Sequence, residues 1–376
     1  MSETLDLLTR LIAIDTCDPP GGEMEIANLV HGYLREHGLM SELDVFLPGR
    51  ANVVSRVKGD GSRPGLIFSA HFDTVPPGAQ PWKHGPFSAH KENGRLYGRG
   101  ATDMKSGMAA MISAAVNLSR QDVNLGGDLI LAFSAGESSN CLGAKRMIEN
   151  GDLEGAGYFL VSEPTSLGML IAEKGALWLR LVAHGKGGHA SASEGTSTGS
   201  QSAVTRMIHA LSALEAFDFA VADHSLLGSP SVAVGTIHGG TVVNLTPDRC
   251  EAEIDLRLLP GQEPQSVVAA LSAHLGDDIE IEQIDFKPPV ETAVDHPFVT
   301  ACIDACARVS GETPVPGGVS YYSDATVICP ALNLPMVILG PGELGMSGQT
   351  DEYVEVEKLE RAVPIFEQVA RTMLAS

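Results

Sequence analysis

Short, continuous apolar runs separated by helical stretches dominate the first half of the chain. GLIFSA (65–70) leads through a Pro/Gly-rich loop into MKSGMAAMISAAVNL (104–118), a helical stretch of small and apolar residues. DLILAFSA (128–135), a helical pattern over 143–149 and GYFLVS (157–162) follow. A strand that is apolar at every position must be covered on both faces, and helices between successive strands make those strands parallel. The order predicts an α/β fold, a three-layer domain around a mostly parallel central sheet.

The pattern changes after Gly175. ALWLRLVAHG is strand-like, SQSAVTRMIHALSAL helical, and SVAVGTIHGG and RCEAEIDLRLLPG alternate like half-buried strands. QEPQSVVAALSAHL then reads as a helix and DIEIEQIDF as a strand. This β-α-β-β-α-β order is the split βαβ, ferredoxin-like signature. The core pattern resumes at 297–309, with MVILG (336–340) as a further strand and 355–374 as a closing helix. The expected division is one discontinuous domain, 1–176 with 289–376, and an inserted domain at 177–288.

Charge narrows the partners. The chain's 376 residues carry 25 Lys+Arg against 47 Asp+Glu, a formal charge of −22, which repels nucleic acid and anionic membrane. No apolar stretch is long enough to cross a bilayer. MSETLDLLTRLIAID reads as an amphipathic helix through Leu5, Leu8, Leu11 and Ile12, without the basic start of a signal peptide. The six cysteines form no CxxC pair, and Cys302 and Cys306, four apart, read as buried free thiols. A cytoplasmic protein is expected.

The chemistry-bearing residues follow the apolar runs. His71 and Asp73 (AHFDTVPPG) come after the first, Asp103 (GRGATDMKSG) opens the next helix, Glu137 (SAGESS) follows the second run and Glu163 (VSEPT) the third. The carboxyl ends of strands in such sheets form the ligand crevice. Singly, each has an ordinary reading: a core histidine, a helix cap, loop carboxylates in solvent. Together they are costly to bury unless they pair or bind a cation.

These segments resemble the zinc-dependent aminoacylase, glutamate carboxypeptidase and succinyl-diaminopimelate desuccinylase group of metallopeptidases. The resemblance runs from IDTCDPPGGE (14–23) through SAHFDTVPPG (69–78), LYGRGATDMKSG (96–107), EKGALW (173–178) and HGKGGHAS (184–191). It continues in GGTVVNLTPD (239–248), DLRLLPG (255–261), GPGE (340–343) and TDEYV (350–354). It implies that the inserted domain is a lid and dimer contact, making the protein a homodimer or higher homo-oligomer. By the same resemblance His71, Asp103 and Glu163 are ligands of the first metal, Asp103 being the carboxylate that bridges two metals in the family. Asp73 would orient the ligand histidine, and Glu137 would be the general base that takes a proton from water. His189 would help stabilise the oxyanion, and Asn244 and Arg257 would bind substrate, Arg257 through a carboxylate.

Two family ligands are missing. The family has a second glutamate after the strand bearing Glu137, where this chain has Ser138. It has a histidine shortly before DEYV, where this chain has Gly348 beside Gln349. Both belong to the second metal, so the expectation is one divalent ion per chain, zinc or manganese, with the second site absent.

The family reaction is hydrolysis of an amide C–N bond in a small carboxylate-bearing substrate. In GGVSYYSDA (317–325), the family has a Gly-Gly loop leading to a Ser/Thr-Asp near the substrate, which the resemblance places at Ser323, and this chain adds Tyr321 and Tyr322 beside it. The two tyrosines either stack on a planar substrate or pack beneath their loop. Two further readings stay open. One is hydrolytic deamination of an electron-poor aromatic amine, and the other a non-catalytic ligand-binding relative. Retention of Glu137 speaks against the second, because a binding protein needs no general base.

Overall fold

The apolar runs form the middle of one sheet. In this computed structural model, which describes residues 2–121, 123–189, 191 and 202–375, Gly65–His71 runs parallel to both Leu129–Ser134 and Ala156–Val161. Met336–Ile338 adds in parallel beside Ala156–Val161. Antiparallel strands extend the sheet, with Arg50–Val57 and then Met40–Leu47 beyond Leu129–Ser134, and Leu170–Glu173 beyond Met336–Ile338. Every residue of Gly65–His71 and Leu129–Ser134 is buried, as a sheet covered on both faces requires.

Two helix groups provide that cover. Ser106–Arg120 and Pro297–Ser310 both pack on the long helix Val356–Leu374, whose Phe366 ring lies 5.5 Å from Phe68 of the sheet. Leu142–Asn150 and Ala325–Leu332 pack together as the second group. The small residues of 104–118 serve close approach. A Cβ on Gly107 would stand 2.2 Å from Ser162 Oγ, so only glycine lets this helix meet the strand end that precedes Glu163. Among the described residues no helix is long and apolar enough to cross a membrane.

The inserted unit has the predicted order. Gly175–His184, Ser231–Gly239, Arg249–Leu258 and Ile279–Lys287 form an antiparallel sheet in which Arg249–Leu258 and Gly175–His184 are central. Arg249–Leu258 alternates strictly, sending Cys250, Ala252, Ile254, Leu256 and Leu258 into a core with Met207, Leu214, Val267 and Leu271 of the two helices.

The chain divides as Met1–Ala172, Val290–Gly318 and Ser323–Ser376 in one unit, and Glu173–Pro289 with Val319–Tyr322 in the other. Residues 319–322, expected with the larger unit, belong to the inserted one. Lys174 N donates to Val319 O at 3.1 Å, and the Tyr322 ring packs edge-on against Trp178.

Candidate metal centre

Parallel strands end at one edge, which gathers the residues that follow them. His71 is the last residue of its strand, and Glu163 lies two positions past Val161. His71 Nε2 is 3.2 Å from Asp103 Oδ1 and 3.6 Å from Glu163 Oε1, and one donor atom from each of the three lies within 4.8 Å of the others. His71 and Glu163 are buried, at 7% and 5% exposure.

Asp103 is not a helix cap. It has extended backbone angles (φ −121°, ψ 98°) ahead of Ser106–Arg120. Glu352 Oε1 accepts the Thr102 and Asp103 amide protons at 2.9 and 3.0 Å, and Arg99 forms a buried ion pair with the same Glu352. Ser347 Oγ donates to Asp103 Oδ2. Asp103 Oδ1, facing His71, is buried and makes no hydrogen bond.

The imidazole's proton can be placed by its partner. His71 Nδ1 is 2.9 Å from the Asp73 main-chain carbonyl, which only accepts, so Nδ1 carries a hydrogen and Nε2, on losing its own proton to a bound cation, is the nitrogen with a lone pair to give. Asp73 was expected to orient this ring, and its carboxylate lies 3.8 Å from Nδ1. That carboxylate accepts the amide protons of Gly136, Glu137 and Ser138 at 2.9, 3.0 and 2.9 Å. Asp73 thus holds the ring with its main chain and the Glu137 loop with its side chain. The difference arises because three convergent amides satisfy a buried carboxylate better than one imidazole does.

The electrostatics ask for a cation. Burial, reinforced by Asp324, Asp73 and Asp103 against the opposing pull of His71, raises Glu137 well above the ordinary carboxyl range. Burial and then Asp103 do the same to Glu163. Burial alone would lower His71, but the adjoining carboxylates, Asp103 first and then Asp73 and Glu163, raise it well above 6.5. Several carboxylates thus crowd one imidazole, and one carboxylate oxygen lacks a partner. That donor set of one nitrogen and carboxylate oxygens fits a divalent ion.

The other expected residues are distributed between the units. In the inserted unit His189 and Asn244 are exposed, His189 Nδ1 lying 2.7 Å from Ser191 Oγ. Arg257 donates to Asp255 at 2.9 Å and lies 5.5 Å over the Tyr322 ring, while its Nη1 is buried without a hydrogen bond. Lys287 Nζ stands 3.9 Å from the Trp178 ring and 4.7 Å from that of Tyr322. Tyr321 is half-buried in the same unit. Ser323, expected at the substrate, is fully buried, and its hydroxyl accepts the Ala325 amide at 3.2 Å at the start of Ala325–Leu332.

Four residues at this centre escaped notice in the sequence: Asp324, Glu352, Arg99 and Ser347. Asp324 is buried, accepts from Ser134 Oγ and adds to the negative field on Glu137. Burial and neighbouring Asp103 push Glu352 up to about 7. Asp324 and Glu352 lie inside segments quoted above, SYYSDA and TDEYV, and Arg99 in LYGRG; only Ser347 had no such signal.

A family model described as Peptidase family M20/M25/M40 matches residues 67–372. The chain belongs to this family. This M20-family member is therefore a metal-dependent hydrolase acting on C–N bonds of the amide class. It is 25% identical over 403 residues to "Probable succinyl-diaminopimelate desuccinylase" of Staphylococcus aureus (strain MSSA476), covering 98% of this chain and 97% of that one. It is 27% identical over 365 residues to acetylornithine deacetylase of Aliivibrio fischeri, covering 93% and 91%. Two solved structures bear on the fold alone. The M20 family metallo-carboxypeptidase Sso-CP2 of Sulfolobus solfataricus matches with a TM-score of 0.81 and 21% identity over 99% of both chains. The Bacillus subtilis YXEP protein, described as a dinuclear metal binding peptidase, matches at 0.75 and 18%, covering 99% of this chain and 97% of its own.

Proposed function

We propose that this M20-family enzyme hydrolyses an amide C–N bond in a small substrate bearing a free carboxylate, at a single zinc or manganese ion. The observation that carries this reading is the convergence of His71, Asp103 and Glu163, with the imidazole's proton held on Nδ1. Such an ion polarises the scissile carbonyl and makes water more acidic. Glu137 takes the proton from water and passes it to the departing nitrogen, and its high basicity suits a group that holds a proton between the two steps. His189 steadies the oxyanion. Asn244 and Arg257 bind the substrate, and the unpartnered Arg257 Nη1 is suited to its carboxylate.

Two features support a single ion. Ser138 brings no charge, and its amide is committed to Asp73. Gly348 sits at φ +72°, where any other residue is strained, and its carbonyl accepts from Arg99 at 3.0 Å. The single-ion reading is tested by metal content after exhaustive dialysis. One ion at the strand-end centre supports it, and two refute it.

Homodimerisation through the inserted unit is part of the proposal. Ser231–Gly239 is an edge strand whose residues are largely exposed, with Val234 and Ile237 at 46% and 47%. A cytoplasmic setting fits six cysteines that form no disulfide, five of them buried.

A second reading, deamination of an electron-poor aromatic amine, has one observation in its favour. Trp178 and Tyr322 beside Lys287 and Arg257 group two aromatic rings with two cations, which suits a planar anion. Parallel assays of N-acyl-amino acids and dipeptides against amino-aromatic acids discriminate the two. Ammonia release from the aromatic set, with the acyl set inert, replaces amide hydrolysis by deamination.

A further inference from the structure

A second group of ligating side chains lies outside the centre described above and shares no residue with it. His90 and Glu92 are two apart on the strand His90–Glu92 and therefore project from the same face. His84, from the preceding loop, stacks its ring on His90 at 3.7 Å between centroids and 18° between planes. One donor atom each from His84, His90 and Glu92 lies within 4.8 Å of the others, and His84 Nε2 is 3.7 Å from Glu92 Oε2.

The surroundings hold this group in place. Trp82 Nε1 donates to Pro77 O at 3.1 Å, and the Lys83 amide donates to Asp351 Oδ1 at 2.7 Å, which fixes the backbone on which His84 stands. His90–Glu92 pairs with Arg95–Tyr97, which pairs in turn with Tyr353–Glu355. The His84 ring is also 5.5 Å from that of Tyr97. These contacts limit the ways in which the two imidazoles can turn apart.

One atom is unexplained by contacts within the chain. His84 Nε2 is buried and makes no hydrogen bond, although it faces a carboxylate oxygen. The Lys83 ammonium pairs with Glu92 at 2.5 Å and leaves this nitrogen unserved. A cation shared by the three side chains gives the orphaned nitrogen a partner. In a tetrahedral zinc site with bonds of about 2.0–2.2 Å, ligand atoms stand roughly 3.4 Å apart, and the His84 Nε2–Glu92 Oε2 pair stands at 3.7 Å.

We propose that His84, His90 and Glu92 form a second metal site, for a transition ion of the zinc class. Two imidazoles and one carboxylate select such ions over calcium or magnesium, which prefer all-oxygen sets. The bound ion ties the His84 loop to the strand His90–Glu92. Lys83 is its competitor for Glu92.

The test is zinc binding to the intact enzyme and its variants. Wild type, His84→Ala/His90→Ala and Lys83→Ala are equilibrated with ZnCl2, their zinc content per chain is measured, and the same salt is titrated calorimetrically. The double variant should bind one zinc fewer per chain and keep its full hydrolytic rate, which shows that it is folded and that the first centre is untouched. Lys83→Ala should bind that zinc more tightly than wild type, a gain that misfolding cannot mimic. Equal zinc content in wild type and double variant, or an affinity that Lys83→Ala leaves unchanged, overturns the proposal. The count that tests a single ion at His71, Asp103 and Glu163 is accordingly made in the double variant.

Discussion

His71, Asp103 and Glu163 stand at the ends of buried parallel strands, whereas His84, His90 and Glu92 stand on a loop and a short surface strand. Both groups combine imidazole with carboxylate at similar spacing, but their support differs. The buried group is backed by main-chain and ion-pair contacts: Asp73 on His71, and Glu352 with Arg99 behind Asp103. The surface group has a ring stack and a lysine that competes for its carboxylate. Burial makes an unpartnered carboxylate costly and a bound cation correspondingly valuable. The role proposed for Glu137, a base beside an ion, therefore relies on the dry, braced setting of the strand ends.

The largest expected effect breaks the buried centre at its base. Glu137→Gln should lower kcat by about 10²–10⁴ while leaving metal content unchanged. Steady-state assay alongside metal analysis checks this, and full activity in the variant removes Glu137 from the mechanism. No comparable loss should follow any substitution at His84, His90 or Glu92.

Asp73→Asn should come next, and it separates two roles for the Asp73 side chain. An amide oxygen cannot take three amide protons, and its NH2 would face at least one of the Gly136, Glu137 and Ser138 donors. Leaving one buried donor unpaired costs about 1–3 kcal/mol. A misplaced Glu137 loop should then lower kcat by about 10-fold at constant metal content. If instead metal affinity falls about 10–100-fold while turnover per bound ion is kept, the side chain acts on His71 after all.

What could be read from the sequence follows the same division between strand ends and everything else. Continuous apolar runs fix where strands lie, and His71, Asp103, Glu137 and Glu163 stood out because each follows such a run or opens the helix after it. Which atoms of a residue do the work is not encoded in spacing. Asp73 was noticed, but its carboxylate meets amides more than sixty positions away, a contact set by the register of Gly65–His71 against Leu129–Ser134. Ser323 and Asp324 are neighbours in sequence, yet one turns into a local hydrogen bond and the other toward the site's charge. Tyr322 was visible as an aromatic, but its membership of the inserted unit depends on pairing with Trp178 across a long stretch of chain.

The smallest effect concerns the far side of the Glu137 loop. Arg50 pairs with Asp18 at 2.8 Å and Glu23 at 3.1 Å, and Ser139 Oγ donates to Asp18, so this network braces residues 136–141 from below. Burial raises the Asp18 carboxyl, but the hydrogen bonds from Arg50 and Ser139 outweigh it and hold the group below its ordinary value of 3.8. A carboxyl depressed in the folded state stabilises the protein above its unfolded pKa, and that contribution is lost as pH falls through the folded value. Asp18→Asn should therefore cost about 1–3 kcal/mol near neutral pH. The gap in Tm between variant and wild type should close as the pH drops below about 4. A gap that stays constant with pH would mean that Asp18 contributes packing instead of charge. Because Asp73 still holds the Glu137 amide in this variant, its loss of kcat should be smaller than that of Asp73→Asn. The reverse order would make the Arg50 network, and not Asp73, the chief support of the catalytic loop.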